Sequence, residues 1–263
     1  MTRNTMTSLK QALLLGDGGV ISLVGAGGKT SLMFALAREL VEAGMTVITT
    51  TTTKIYVPSP NQSAHIVASE SVEGVLSQAR NLVNNYPHVT TAAAYSNDKR
   101  KLIGLSPESV DVLWESDLFQ WIIVEADGAA GKPLKAPASH EPVIPESTRT
   151  VVAVSGLTAV GKPLTDQWVF RPEVFSMLTG LKIGDPVTET AVIDVLIHKK
   201  GVMKGAPVHA EKIALFNQTE KPDKAEKGKA IFDLLRIKSK TGLKRAILAT
   251  LSENPQVIDY IDL

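Results

Sequence analysis

Cysteine is absent from the 263-residue chain. Disulfides, thiolate metal sites and thiol nucleophiles are therefore excluded, and a reducing compartment is compatible. Histidine is scarce, and its 5 scattered residues give no metal-ligand spacing. No apolar run approaches the ~20 residues a bilayer-spanning helix needs. Met1 to Leu15 carries only a short apolar patch, Ala12 to Leu15, without a small-residue cleavage site. It does not read as a secretory signal, and a cytoplasmic protein without a membrane segment is expected. No charge of one sign dominates: the net charge is +1. It is unevenly placed, because residues 199–247 hold 13 Lys or Arg against 5 Asp or Glu, which leaves the rest of the chain at −7. The lysines of this basic stretch alternate with Glu211, Glu220, Asp223 and Glu226 and few aromatics lie among them. That is the pattern of a solvated helical face, so nucleic acid is not an expected partner. No internal repeat is present, and Thr49 to Thr53 is the one low-complexity tract.

Glycine is concentrated at one informative place. Gly25-Ala26-Gly27-Gly28-Lys29-Thr30-Ser31 follows the apolar run Val20 to Val24 and precedes Leu32 to Ala37, which reads as strand, glycine loop and helix. Such a loop turns backbone N–H groups around phosphate oxygens and adds the positive end of the helix. Lys29 would reach the terminal phosphates, and Thr30 or Ser31 would offer a hydroxyl to Mg²⁺. The full pattern, G-x-x-x-x-G-K-[ST], is missing its first glycine, because Leu23 stands there.

Further along, Gly44 stops the loop helix, and Met45 to Thr50 follows as a strand. His65 to Ser69, Val89 to Tyr95, Trp121 to Val124, Val151 to Val154 and Lys212 to Phe216 read as further strands. Helices are expected at about residues 72–84 and, from the signal Ser106-Pro107-Glu108, at 106–115. Strands alternating with helices predict a doubly wound, mostly parallel α/β sheet with helices on both faces, as one domain over 1–263. Residues 161–205 read as a small helical insertion or lid. Ligands of such sheets sit beyond the carboxyl ends of the strands.

A phosphate loop needs a carboxylate for Mg²⁺. Glu125 and Asp127 end the apolar run Trp121 to Val124, and residues two apart face the same way on a strand. The expectation is Asp127 on Mg²⁺ and Glu125 orienting water. Thr51, Thr52, Thr53 and Lys54 leave the second strand toward the site and are switch or substrate candidates. Lys132, Lys135, His140 and Glu141 lie in a proline-rich loop, with the two lysines as ligands for a phosphate or an acidic substrate. Asn217-Gln218-Thr219-Glu220 stands where a Ras-like protein carries Asn-Lys-x-Asp against guanine; Asn217 and Glu220 are thus base-contact candidates. Arg100 and Arg171 read as surface charges.

Three blocks carry a resemblance: Ile21 to Ser31, Thr50-Thr51-Thr52-Thr53-Lys54-Ile55, and Val124-Glu125-Ala126-Asp127-Gly128 through Lys132-Pro133-Leu134-Lys135-Ala136-Pro137 to His140-Glu141-Pro142. In these the chain resembles the YqeC-like family of selenium-dependent molybdenum hydroxylase accessory proteins. The match departs from the family at Asn217, where Asn-Lys-x-Asp is more usual. The resemblance implies a P-loop NTPase-like protein using ATP or GTP with Mg²⁺, whose partners are a molybdenum-cofactor or selenium species and a client hydroxylase. An NTP-hydrolysing maturation factor, a kinase or nucleotidyltransferase acting on a pterin-type cofactor, and a non-catalytic nucleotide-binding scaffold remain open alternatives.

Overall fold

The computed structural model describes residues 7–238, 241–252 and 254–263. Of the amino-terminal stretch read above, residues 1–6 lie outside them. The chain runs α1 (Leu9–Ala12), β1 (Gly19–Gly25), α2 (Lys29–Glu42), β2 (Val47–Thr51), β3 (Lys54–Tyr56), β4 (Ile66–Ala68), α3 (Val72–Val83), β5 (His88–Ala92), β6 (Ala94–Tyr95), β7 (Lys101–Ile103), α4 (Pro107–Glu115) and β8 (Trp121–Glu125). It continues through β9 (Leu134–Lys135), β10 (Thr148–Gly156), β11 (Val169–Phe170), α5 (Pro172–Thr179), α6 (Glu189–Ile197), β12 (Glu211–Asn217), α7 (Pro222–Ile237), β13 (Arg245–Thr250) and β14 (Gln256–Asp262).

The strands with continuous apolar runs form the middle of a nine-stranded sheet ordered β14-β13-β12-β10-β1-β8-β2-β5-β4. Every neighbouring pair is parallel except β13 with β14. Parallel strands covered on both faces must be apolar on both, and alternate residues serve opposite clusters. On β1, Val20 and Val24 face one cluster while Ile21 and Leu23 face the other. On β8, Ile122 and Val124 divide from Trp121 and Ile123 in the same way. Helices α1 and α2 cover one face; α3, α4, α5, α6 and α7 cover the other. Ser106 caps α4 as its sequence foretold, accepting a hydrogen bond from the Ser109 amide. The mostly parallel α/β sheet is therefore the one the alternation of runs predicts.

Chain order positions the site. From β1 the chain moves to one side for β2, β5 and β8, and later to the other for β10 and β12. The direction of winding changes at β1, and a crevice opens there beyond the carboxyl ends of β1, β8 and β10.

Several elements differ from the sequence reading. The strand expected over Val89 to Tyr95 breaks at Ala93 into β5 and β6, and β6 joins β7 and β3 in a separate antiparallel ribbon. Residues 161–205 hold α5 and α6, whose Phe175, Val192, Ile193 and Leu196 are buried in the same cluster as the sheet. In the basic region α7 buries the stripe Lys224, Gly228, Ile231, Phe232 and Leu235; Lys229 faces solvent as the sequence reading expects, while Lys227 donates to the Val160 carbonyl at 2.7 Å. No helix among the described residues is long and apolar enough to cross a membrane.

One strand residue reports on the packing. His88 begins β5 with Nε2 3.0 Å from the Thr49 hydroxyl and its ring 6.2 Å from that of Phe34. Burial pushes its pKa down from 6.5 to about 4. Between those values the unfolded chain takes up a proton that the folded chain refuses, so this contribution is complete above pH 6.5 and is lost as pH falls through about 4. Urea unfolding from pH 7 to pH 4 is expected to show a shallower loss of stability in His88→Gln than in the unaltered protein; parallel slopes would contradict this account.

Candidate functional site

The strand-to-helix turn after β1 has the backbone of a phosphate cradle. Gly25, Gly27 and Gly28 have φ of 91°, 83° and 135°. At Gly27 a Cβ would collide with the backbone of Gly156 and Pro133, so only glycine allows the loop to lie this close to its neighbours. Gly28 precedes α2 without a side-chain cap. The backbone N–H groups of Gly27, Gly28, Lys29, Thr30 and Ser31 have no acceptor among the described residues, and all five residues line one cleft. Unpaired amides converging at a positive helix end favour an anion. Leu23, at the place of the missing glycine, is a buried residue of β1; the chain leaves the strand only at Gly25.

Beneath the loop lies a chain of alternating charges. Lys29 Nζ donates to the Gly25 carbonyl at 2.6 Å and stands 3.1 Å from Asp127 Oδ1 and 3.6 Å from Glu125 Oε1. Asp127 Oδ2 accepts from the Gly25 amide at 3.1 Å and pairs with Lys135 Nζ at 2.9 Å. Lys135 also meets Glu141 at 2.8 Å, and Arg171 closes the series on both Glu141 oxygens, at 2.6 and 3.2 Å. Burial works against the Lys29 ammonium, but Asp127 and Glu125 outweigh it and hold its pKa above the ordinary value. Burial raises the Glu125 carboxyl against the pull of Lys29 and Thr30. Glu141 is held down at about 2: burial opposes this, and its hydrogen bonds to Arg171 and Lys135 overcome it.

This geometry redistributes the roles expected of the two strand-end carboxylates. Thr30 Oγ1 donates to Glu125 Oε2 at 2.7 Å. Glu125 lines the cleft, whereas Asp127 is wholly buried and its oxygens serve Gly25, Lys29 and Lys135. The carboxylate beside the Thr30 hydroxyl is thus Glu125, not Asp127. Lys135, read from sequence as an anion ligand, is also fully buried, because Asp127, Glu141 and the Gly128 carbonyl saturate its ammonium. Arg171 is no free surface charge: besides Glu141, its guanidinium lies 4.2 Å from the centre of the Phe170 ring.

The remaining candidates divide. Thr51 donates to the Glu125 carbonyl at 2.7 Å and ties the ends of β2 and β8 together, and Thr52 donates to the Val143 carbonyl at 2.6 Å and holds the proline-rich loop. Thr53, Lys54, Lys132 and His140 line the cleft, with Glu141 at its wall. Asn217 braces the loop: its Nδ2 donates to the Gly27 carbonyl at 2.7 Å and its Oδ1 accepts from the Leu251 amide at 2.9 Å. Gln218 turns with φ of 70° and accepts from the Thr158 hydroxyl, while Glu220 stands exposed at the cleft rim. Tyr56 and Lys101, which also line the cleft, were not singled out in the sequence; the small ribbon brings them there from 45 residues apart.

Sheet order, glycine loop and strand-end carboxylates together define an α/β protein of the P-loop type. The chain belongs to the family described as YqeC protein, whose profile matches residues 21–173. It is 29% identical over 245 residues to the uncharacterized protein YqeC of Escherichia coli strain K12, covering 90% of both chains. Among solved structures it has a remote likeness to the signal recognition particle 54 kDa protein of Aeropyrum pernix K1 in complex with GDP, with 15% identity and a TM-score of 0.37 over 91% of this chain and 44% of that one.

Asp127→Asn removes one charge from a buried series and leaves Lys29 and Lys135 undercompensated. Breaking a buried pair in this way costs about 3–5 kcal/mol, and urea unfolding at pH 7 is expected to show a loss of that order. A loss below ~1 kcal/mol, the range of solvated pairs, would mean the series is not load-sharing in solution.

Proposed function

We propose that the protein binds a Mg²⁺-nucleoside triphosphate at the loop Gly25–Ser31 and hydrolyses it as part of a maturation cycle. The carrying observation is the set of unpaired amides from Gly27 to Ser31, lying beside Lys29 and the Thr30–Glu125 hydrogen bond at the mouth of the cleft. These groups fit an anionic phosphate chain, and the donor set fits Mg²⁺, which prefers hard oxygen ligands and takes few from protein. No group of three or more His, Cys, Asp or Glu among the described residues would hold a metal, so Thr30 and Glu125 would share the ion with phosphate oxygens. When bound, Mg²⁺ supplies neutralisation of charge on those oxygens.

The chain's own groups do the rest. Backbone amides orient the phosphates, and Lys29, kept protonated by its carboxylates, swings from the Gly25 carbonyl to the charge that develops on the transferred phosphoryl group. Asp127 remains behind as its counter-charge and holds the first loop glycine in place. Asn217 keeps one amide N–H beyond its bond to Gly27 and would offer it to the base of ATP or GTP, with Glu220 on the rim. By family resemblance the cycle serves assembly or insertion of the cofactor of a selenium-dependent molybdenum hydroxylase, with a molybdenum-cofactor or selenium species and that enzyme as partners.

Calorimetric titration with non-hydrolysable ATP and GTP analogues, with and without Mg²⁺, tests the reading. Lys29→Ala is expected to weaken binding by about 10–100-fold, the worth of a charge-assisted hydrogen bond. Glu125→Gln should raise the Mg²⁺ concentration for half-maximal binding by roughly 10-fold while Asp127→Asn leaves it near its original value. Absence of binding to either nucleotide would overturn the proposal, and a Mg²⁺ shift in Asp127→Asn alone would return the metal to Asp127.

A further inference from the structure

The cleft exceeds what one nucleotide needs. Its volume is about 1070 Å³, just above the about 300–1,000 Å³ typical of small-molecule sites. Strand order divides it: Asn217 ends β12 and Leu251 follows β13 on one side of the phosphate loop, and the segment after β2 lies on the other. A nucleotide with its base toward Asn217 leaves the second side facing its terminal phosphate.

That second side is built by the ribbon. Gly104 and Leu105, just after β7, donate to the Thr53 and Thr51 carbonyls at 2.7 and 2.9 Å. A Cβ on Gly104 would strike the Thr51–Thr53 backbone, so the ribbon rests directly on the threonine turn. Ile55 and Leu102 face the core, which turns Lys54, Tyr56 and Lys101 away from it. Tyr56 pairs with Lys101 across the ribbon and is 70% exposed, with the Lys101 ammonium 4.9 Å from its ring centre. Lys54, Lys101 and Lys132 have no carboxylate partner among the described residues, while Glu125 and Glu141 on this part of the wall are already paired. Cationic charge without counter-charge selects an anion, and an exposed aromatic face selects a flat ring.

We propose that this half binds a second ligand, a small planar ring bearing a phosphate or carboxylate, with the ring on Tyr56 and the anionic group among Lys54, Lys101 and Lys132. The placement beside a terminal phosphate rests on the nucleotide reading above; the binding of the ligand itself does not.

The test uses the full chain with 4-methylumbelliferyl phosphate as the aromatic anion, followed by fluorescence anisotropy with and without saturating Mg²⁺-ADP. Saturable binding is expected, undisplaced by ADP, with affinity reduced by roughly 10-fold in Tyr56→Ala and restored in Tyr56→Phe. A Lys54→Ala, Lys101→Ala double variant should lose a similar amount, and 4-methylumbelliferone without its phosphate should bind far more weakly. Unfolding midpoints of the variants separate loss of site from loss of fold. The proposal is overturned by the absence of saturable binding below about 1 mM, about 4 kcal/mol of affinity, by displacement with ADP, or by indifference to Tyr56→Ala. Failure of ADP to bind in calorimetry while the probe still responds to Tyr56 would overturn the nucleotide reading and leave the second site standing.

Discussion

Charge balance beneath the phosphate loop is the constraint on which the rest of the structure depends. Lys29, Lys135 and Arg171 are set against Glu125, Asp127 and Glu141 in one contiguous series. No member can be removed from water alone without a desolvation cost of several kcal/mol, so the pieces that carry them must arrive together. These are the first turn of α2, the end of β8, the loop after it with β9, and the residue before α5. The series thereby fixes the depth at which the proline-rich loop lies against the sheet. It also explains why two carboxylates at one strand end have separate work. Asp127 is consumed in holding the loop and its lysine, and Glu125, buried on the cleft wall, accepts from the Thr30 hydroxyl.

Much of the fold was legible because burial on both faces of a parallel sheet demands unbroken apolar residues, and Val20–Val24, Trp121–Val124 and Ile213–Phe216 supply them. The ribbon was not. Strands β3 and β7 each bury one side chain, Ile55 and Leu102, and a single apolar residue carries no period. Strand β14 is an edge with Ile261 as its one buried residue, and its Val257, Ile258, Tyr260 and Ile261 do not alternate with polar residues as a half-buried strand would. The largely apolar run Ala191 to Ile197 marks α6 as a buried helix, but not which surface covers it, and that surface is the same cluster that lies on the sheet.

The candidate site shows the same boundary between local and distant information. Glycine loop, Lys29 and Thr30 are contiguous, and their chemistry follows from their spacing. Which carboxylate meets Thr30, and that Lys135 points inward while Lys54 and Lys132 reach the cleft, depends on register between strands that are far apart in sequence. A period of two puts Glu125 and Asp127 on one face but says nothing of the lysine that will neutralise the deeper one. Leu23 in place of the pattern's first glycine has a similarly spatial explanation, since β1 continues through it and the turn is completed within a shorter loop.

Asn217 reaches the Gly27 carbonyl across 190 positions of sequence and also holds the Leu251 amide. During synthesis the ribosome releases the glycine loop early, yet the side chain that clamps it emerges only when most of the chain has been made. Until that side chain emerges, the Gly27 carbonyl lacks the partner that the finished fold gives it. The geometry of the glycine loop is in this respect a consequence of finishing the sheet, since its brace is carried by the late strand β12.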